Sequence, residues 1–62
     1  MNERYTPGDL VYHKALGACL VLLATESEVE ILVLRTVELR LSGSFIQAGR
    51  KLTVFRSAVE LL

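Results

Sequence analysis

The stretch Glu28-Val29-Glu30-Ile31-Leu32-Val33-Leu34-Arg35-Thr36-Val37-Glu38-Leu39-Arg40-Leu41-Ser42 decides the fold. Its odd positions Val29, Ile31, Val33, Val37, Leu39 and Leu41 are apolar, interrupted only by Arg35. Its even positions mix Glu28, Glu30, Thr36, Glu38, Arg40 and Ser42 with Leu32 and Leu34. Alternation at period two predicts β structure with one face turned to a core and the other largely to water. Glu, Leu and Arg are good helix formers, but a helix would wrap the apolar set around the whole cylinder, and the β-branched valines and isoleucine favour a strand. At about 3.3 Å per residue the stretch exceeds a usual strand, so it is expected to bend, or to break near Arg35 and Thr36.

Working towards the N-terminus, Glu26-Ser27 forms the polar tip of a hairpin that joins this stretch to a second strand, Ala18 to Thr25. That strand is apolar until its last residue. Cys19, Val21 and Leu23 are expected on one face and Ala18, Leu20, Leu22 and Ala24 on the other, so both faces need cover. Before it, Pro7-Gly8-Asp9 is a turn signal, since Pro presets φ and Gly accepts positive φ. It launches a first strand, Leu10 to Lys14, and Gly17 punctuates the connection that follows. Residues 1–6 are expected to be a flexible lead-in. On the C-terminal side, Ser42-Gly43 and Gly49-Arg50 are turns that bound a short strand from Phe45 to Ala48. Lys51 to Phe55 then alternates again. Arg56-Ser57-Ala58 reads as a one-turn break of 3₁₀ type before a last strand, Val59 to Leu62.

The 62 residues make one domain, 1–62, near the lower limit for a core without staples. One cysteine and one histidine rule out an internal disulfide and leave too few ligands for a structural zinc site, so no metal and no cofactor is expected. Hydrophobic residues make up 52% of the chain, enough for packing or further subunits to supply the missing stability. The formal net charge is zero, so no general pull towards nucleic acid or an anionic membrane arises. The charges are nonetheless sorted: residues 1–30 carry a balance of −3 and residues 31–62 a balance of +3. The most hydrophobic run, Ala15 to Ala24, is about half a membrane span and lacks a basic lead-in. A soluble, cytoplasmic protein is expected, in keeping with the lone cysteine.

Five or six short antiparallel strands, opened by Pro7-Gly8-Asp9-Leu10-Val11 and closed by a one-turn break before a last strand, resemble the small SH3-like β-barrels. The run Gly8-Asp9-Leu10-Val11-Tyr12-His13, with Gly17 following, is similar to the Tudor-like subset: the RNA polymerase-interacting domain of CarD-type transcription regulators and the C-terminal module of UvrD-type helicases. The resemblance implies an all-β barrel that binds a protein partner, such as a polymerase or helicase, and is not a catalyst. Type II dihydrofolate reductases share the Gly-Asp-x-Val start and an SH3-like barrel. Where they carry Val-Gln-Ile-Tyr, this chain has Leu52-Thr53-Val54-Phe55, without the amide or the phenol, so reductase chemistry is not expected.

Few residues suggest catalysis. His13 and Cys19 could form a nucleophilic set, but Cys19 lies in an apolar strand where cysteine acts as a small hydrophobe, and His13 is expected to bond backbone at a strand end. Glu26, Glu28 and Glu30 fall on one face of a regular strand and are expected to be solvated. Arg50, Lys51, Phe55 and Arg56 are the candidate contacts for nucleic acid or another anion, since a barrel can hold phosphates with such cations and stack a base on the ring. The larger signal is the leucine count. Val11, Cys19, Val21, Leu23, Val29, Ile31, Val33, Val37, Leu39 and Leu41 fill one side, which leaves Leu20, Leu22, Leu32 and Leu34 for the other. At about 1.5–3 kcal/mol each, those four represent roughly 6–12 kcal/mol of gross burial, comparable to the whole stability of a small domain. They are the expected interface of a homo-oligomer, most simply a two-fold dimer.

Overall fold

The structure, a computed structural model, describes residues 5–62. The deciding stretch forms two strands and breaks where expected: β3 covers Glu28–Val33 and β4 covers Val37–Glu38. Around them lie β1 (Leu10–His13), β2 (Gly17–Ala24), β5 (Phe45–Ile46) and β6 (Lys51–Phe55), a one-turn 3₁₀ segment η1 (Arg56–Ala58), and β7 (Val59–Leu61). The chain is therefore all-β, with seven strands where five to six were expected. Five form one antiparallel sheet in the order β6-β3-β2-β1-β7, and β4 and β5 form a separate two-stranded ladder.

The sheet is not closed into a barrel, because the edge strands β6 and β7 share no ladder. It is nevertheless strongly coiled. Laid flat, edges four strand spacings apart would be separated by about 19 Å. Phe55 at the end of β6 is linked to Val59 at the start of β7 through η1 alone, a span of at most about 14 Å even if extended. A bulge in β2 supplies part of the curvature. Register runs Cys19 to Val33, Leu20 to Leu32 and Val21 to Ile31, then slips, so that Leu23 faces Glu30 and Ala24 faces Val29. Leu22 is the extra residue, and a bulge of this kind bends and twists its strand.

The slip corrects one expectation directly. Leu23 was placed with Cys19 and Val21 inside, but it is 57% exposed, and Ala24 takes the inward position against the core. A one-residue shift in pairing turns the remainder of a strand over. Leu39 and Leu41 were also expected inside. They lie instead at the turn joining β4 to β5, Leu39 partly exposed and Leu41 wholly so, because the chain leaves the sheet after Val33. That turn is ordered: Leu39 N–H donates to Ser44 O at 2.7 Å and Gly43 N–H donates to Leu39 O at 2.8 Å. At its base, Thr36 Oγ1 accepts from Ala48 N–H at 3.0 Å. The strand expected from Phe45 to Ala48 accordingly ends at Ile46.

The core is Tyr5, Val11, Leu16, Cys19, Val21, Val29, Ile31, Val33 and Val59, with Ala24, Val37, Ile46, Leu52 and Val54 packed against it. Residues 1–4 of the expected lead-in lie outside the described residues. Tyr5, which was assigned to that lead-in, is buried and its hydroxyl donates to Val59 O at 3.0 Å.

The opening turn shows local sequence dictating local geometry. Asp9 N–H donates to Thr6 O at 3.0 Å, Thr6 N–H donates to Asp9 Oδ2 at 2.9 Å, and Gly8 sits at φ 95°. Pro at the second and Gly at the third position make a type II turn, which needs positive φ at the third. Gly8→Ala meets no steric obstacle to its Cβ, so only the backbone term acts. It is expected to cost about 1–2 kcal/mol, read as a fall in melting temperature of roughly 4–8 °C per kcal/mol.

Candidate functional site

Two places on the molecule gather side chains outside the core or at its edge. The first is the outer face of the sheet. Leu20 lies directly across from Leu10 on one side and from Leu32 on the other, and Lys51 follows Leu32. Leu62 N–H donates to Leu10 O at 3.1 Å, which extends the same row onto the residue after β7. Residues directly opposed in a sheet share a face. Leucines from four adjacent chain segments thus make one continuous apolar row, bounded by Lys51.

Of the expected interface residues, Leu20 and Leu32 are brought together as direct partners. Leu22 occupies the bulge beside them, and Leu34 lies just past the end of β3, 41% exposed. Leu10, Leu62 and Leu23 escaped sequence reasoning. The period-two pattern carried a signal for Leu10, which alternates with the buried Val11, but which strand it faces is a long-range fact. Leu10 and Leu62 at one end of the row are exposed, whereas Leu20, Leu22 and Leu32 are already more than half buried by their neighbours. At most about a third of the gross burial, about 2–4 kcal/mol for four leucines, therefore remains to be gained by association.

The basic cluster is divided. Arg50 and Lys51 stand at one end of β6 and Phe55 and Arg56 at the other, about 13–17 Å away along the strand. Lys51 and Phe55 do share the outer face, but Phe55 faces Glu28 and Thr53 faces Glu30, so carboxylates lie between the two ends. Arg56 is held by the fold. Its N–H donates to Ser27 O at 3.0 Å, its Nη1 donates to Glu26 O at 3.3 Å, and its guanidinium lies 5.3 Å from the centre of the Tyr5 ring. It thereby pins the β2–β3 hairpin tip, which lacks the usual glycine and is clamped on its other side by Thr25. Thr25 Oγ1 accepts from Glu28 N–H at 3.1 Å, and Thr25 N–H donates to Glu28 O at 2.8 Å.

The second place is an open groove of about 880 Å³ at the β1–η1–β7 corner, lined by residues that include Tyr5, Tyr12, His13, Lys14, Arg56 and Glu60. Coiling of the sheet creates it by carrying the end of β6 to the end of β1. Glu60 lies directly across from Tyr12 on the neighbouring strand.

His13 and Cys19 are each occupied within their own turn. His13 Nδ1 accepts from Ala15 N–H at 3.0 Å and Leu16 N–H at 3.3 Å, as expected of a strand-end histidine, and Cys19 Sγ–H donates to Gly17 O at 3.5 Å. Burial pushes the Cys19 thiol above its ordinary value of 9.0 by opposing the charged thiolate. The unfolded chain then loses that proton first, so the stability carried by the neutral thiol is fully present below the unfolded value and falls as pH rises through it. Denaturation of the native protein between about pH 8 and pH 10 should show a steeper loss than that of Cys19→Ala; parallel losses would contradict this.

Among the described residues no group of His, Cys, Asp or Glu could hold a metal ion, and no helix is long and apolar enough to cross a membrane. In comparisons with protein-family profiles, curated proteins and solved structures, the chain matches none.

Proposed function

We propose that the protein is a non-catalytic interaction module that self-associates as a two-fold dimer through the outer face of its sheet. The observation that carries this reading is the register, which sets Leu10, Leu20 and Leu32 side by side on three adjacent strands. The row has the anatomy of an interface, an apolar centre with Lys51, Glu30 and Glu60 around it. A two-fold axis suits it, because one patch then covers its own copy and the same leucines are buried on both subunits. Solution mass tests the proposal. Twice 6.9 kDa at tens of micromolar is the expected result, and 6.9 kDa at that concentration would overturn it.

We further propose that the fold is SH3-like in an open form. Support comes from the bulged second strand, and from the short 3₁₀ turn that carries the chain from one edge of a coiled sheet to the other. On that reading the dimer is a scaffold for a protein partner, of which a polymerase or helicase is the kind implied by the Gly8 to His13 run.

A further inference from the structure

We propose that the β1–η1–β7 groove binds a small organic anion whose charged head is carried on a planar ring, the chemistry shared by aryl phosphates and aryl carboxylates. The chain has two tyrosines and one histidine, all between residues 5 and 13, and all three line this one groove beside η1 and β7 from the other end of the chain. Among the described residues Lys14 and Arg56 line it as well, with Glu60 as the one carboxylate, so these side chains give the groove a local balance of +1 on a molecule whose net charge is zero.

The cation most embedded in the fold is already in place. Arg56 is fixed by the Tyr5 ring and by the carbonyl of Glu26, so little side-chain freedom is lost when an anion arrives. Stacking on Tyr5 leaves the guanidinium planar and charged, the form that recognises carboxylate and phosphate oxygens. Lys14 adds a second, exposed charge from the end of β1. His13 contributes a donor: because Nδ1 accepts two backbone bonds, the proton of the neutral ring resides on Nε2. Tyr12, on the outer face with Glu60 across from it, supplies the surface for a ring at the rim of the groove, being 42% exposed where Tyr5 is buried beneath Arg56. The volume of about 880 Å³ lies within the range of small-molecule sites. Glu60, across from Tyr12, opposes an anion, which gives the site a distinctive response: neutralising it should strengthen binding.

Titration of the native protein with phenyl phosphate and with benzoate, followed by amide chemical shifts at fixed ionic strength, tests the proposal. Saturable shifts confined to residues 12–14 and 56–60 are expected. The arm that saturates at the lower concentration identifies the head group. Phenol and inorganic phosphate, each with half of the recognised chemistry, should bind more weakly than phenyl phosphate. Lys14→Glu, at an exposed position that leaves the core intact, should weaken binding about tenfold, and Glu60→Gln should tighten it about threefold. Failure of both arms to saturate would overturn the proposal. So would shifts spread equally over Arg35, Arg40, Arg50 and Lys51, or unchanged affinity in both variants.

Discussion

Ile31→Ala is expected to remove about half or more of the protein's stability and leave it at best marginally folded at 25 °C. Ile31 is the largest fully buried side chain and sits mid-sheet, paired with Val21 on one side and Leu52 on the other. Truncation there removes burial and leaves a cavity that strands held on both sides cannot collapse to fill, a combined cost of about 2–5 kcal/mol. A domain of this length has about 3–9 kcal/mol in total, and no disulfide holds the chain, since Cys19 is its only cysteine. Ile31→Val, which removes one methylene, should cost about 0.5–1.5 kcal/mol and remain folded. Urea denaturation followed by circular dichroism would measure both. A folded Ile31→Ala protein with less than about 1 kcal/mol lost would show that this position is not the centre of the core.

One residue further along β3, Leu32→Glu should have the opposite signature: a folded protein at half the mass. Ile31 and Leu32 point to opposite faces of one strand, so their substitutions separate folding from association. In the proposed dimer Leu32 lies in the leucine row beside Leu20, and a two-fold axis places two new carboxylates in one apolar interface. Burying a charge without a partner is costly, and a hundredfold rise in the dissociation constant needs only about 2.7 kcal/mol. Leu20→Glu should behave alike. Leu41→Glu, at the fully exposed turn between β4 and β5, should leave the mass unchanged. If Leu41→Glu dissociated the protein and Leu32→Glu did not, the interface would lie at that turn and the sheet face would be open. If the native protein is the proposed dimer, its stability should also rise with protein concentration, whereas that of Leu32→Glu should not.

Much of the inner core was legible because alternation is a local property. Val11, Cys19, Val21, Val29, Ile31 and Val33 are all buried on the face assigned to them, and the break after β3 falls at the residues that interrupt the pattern. Leu23 and Leu41 were misplaced for two different reasons. Leu23 lies past a bulge, and no feature of an all-apolar strand marks which residue will be the extra one. Leu41 continues the alternation in sequence, but the segment holding it has left the sheet. Tyr5 was read as part of a frayed end because its burial depends on a bond to Val59, 54 residues away.

The candidate sites divide along the same line. The excess of leucines over what one core can take is visible in composition, and of the four it singled out the register pairs Leu20 with Leu32 on the outer face. Which leucines adjoin is a matter of register, and the answer, with Leu10 and Leu62 in the row and Leu22 displaced by the bulge, needed the pairing itself. The groove was invisible, since Tyr5, Tyr12, Lys14 and Arg56 meet only after the sheet coils corner to corner. By itself the sequence determined where the main strands and turns fall and the inward face of Val11, Cys19, Val21, Val29, Ile31 and Val33, all of which depend on neighbours within a few residues. Tertiary structure alone decided the open edges, the contiguous leucine row and the groove at the corner. These depend on the curvature of the whole sheet, which arises from a one-residue slip between two strands and from the short η1 link across its edges.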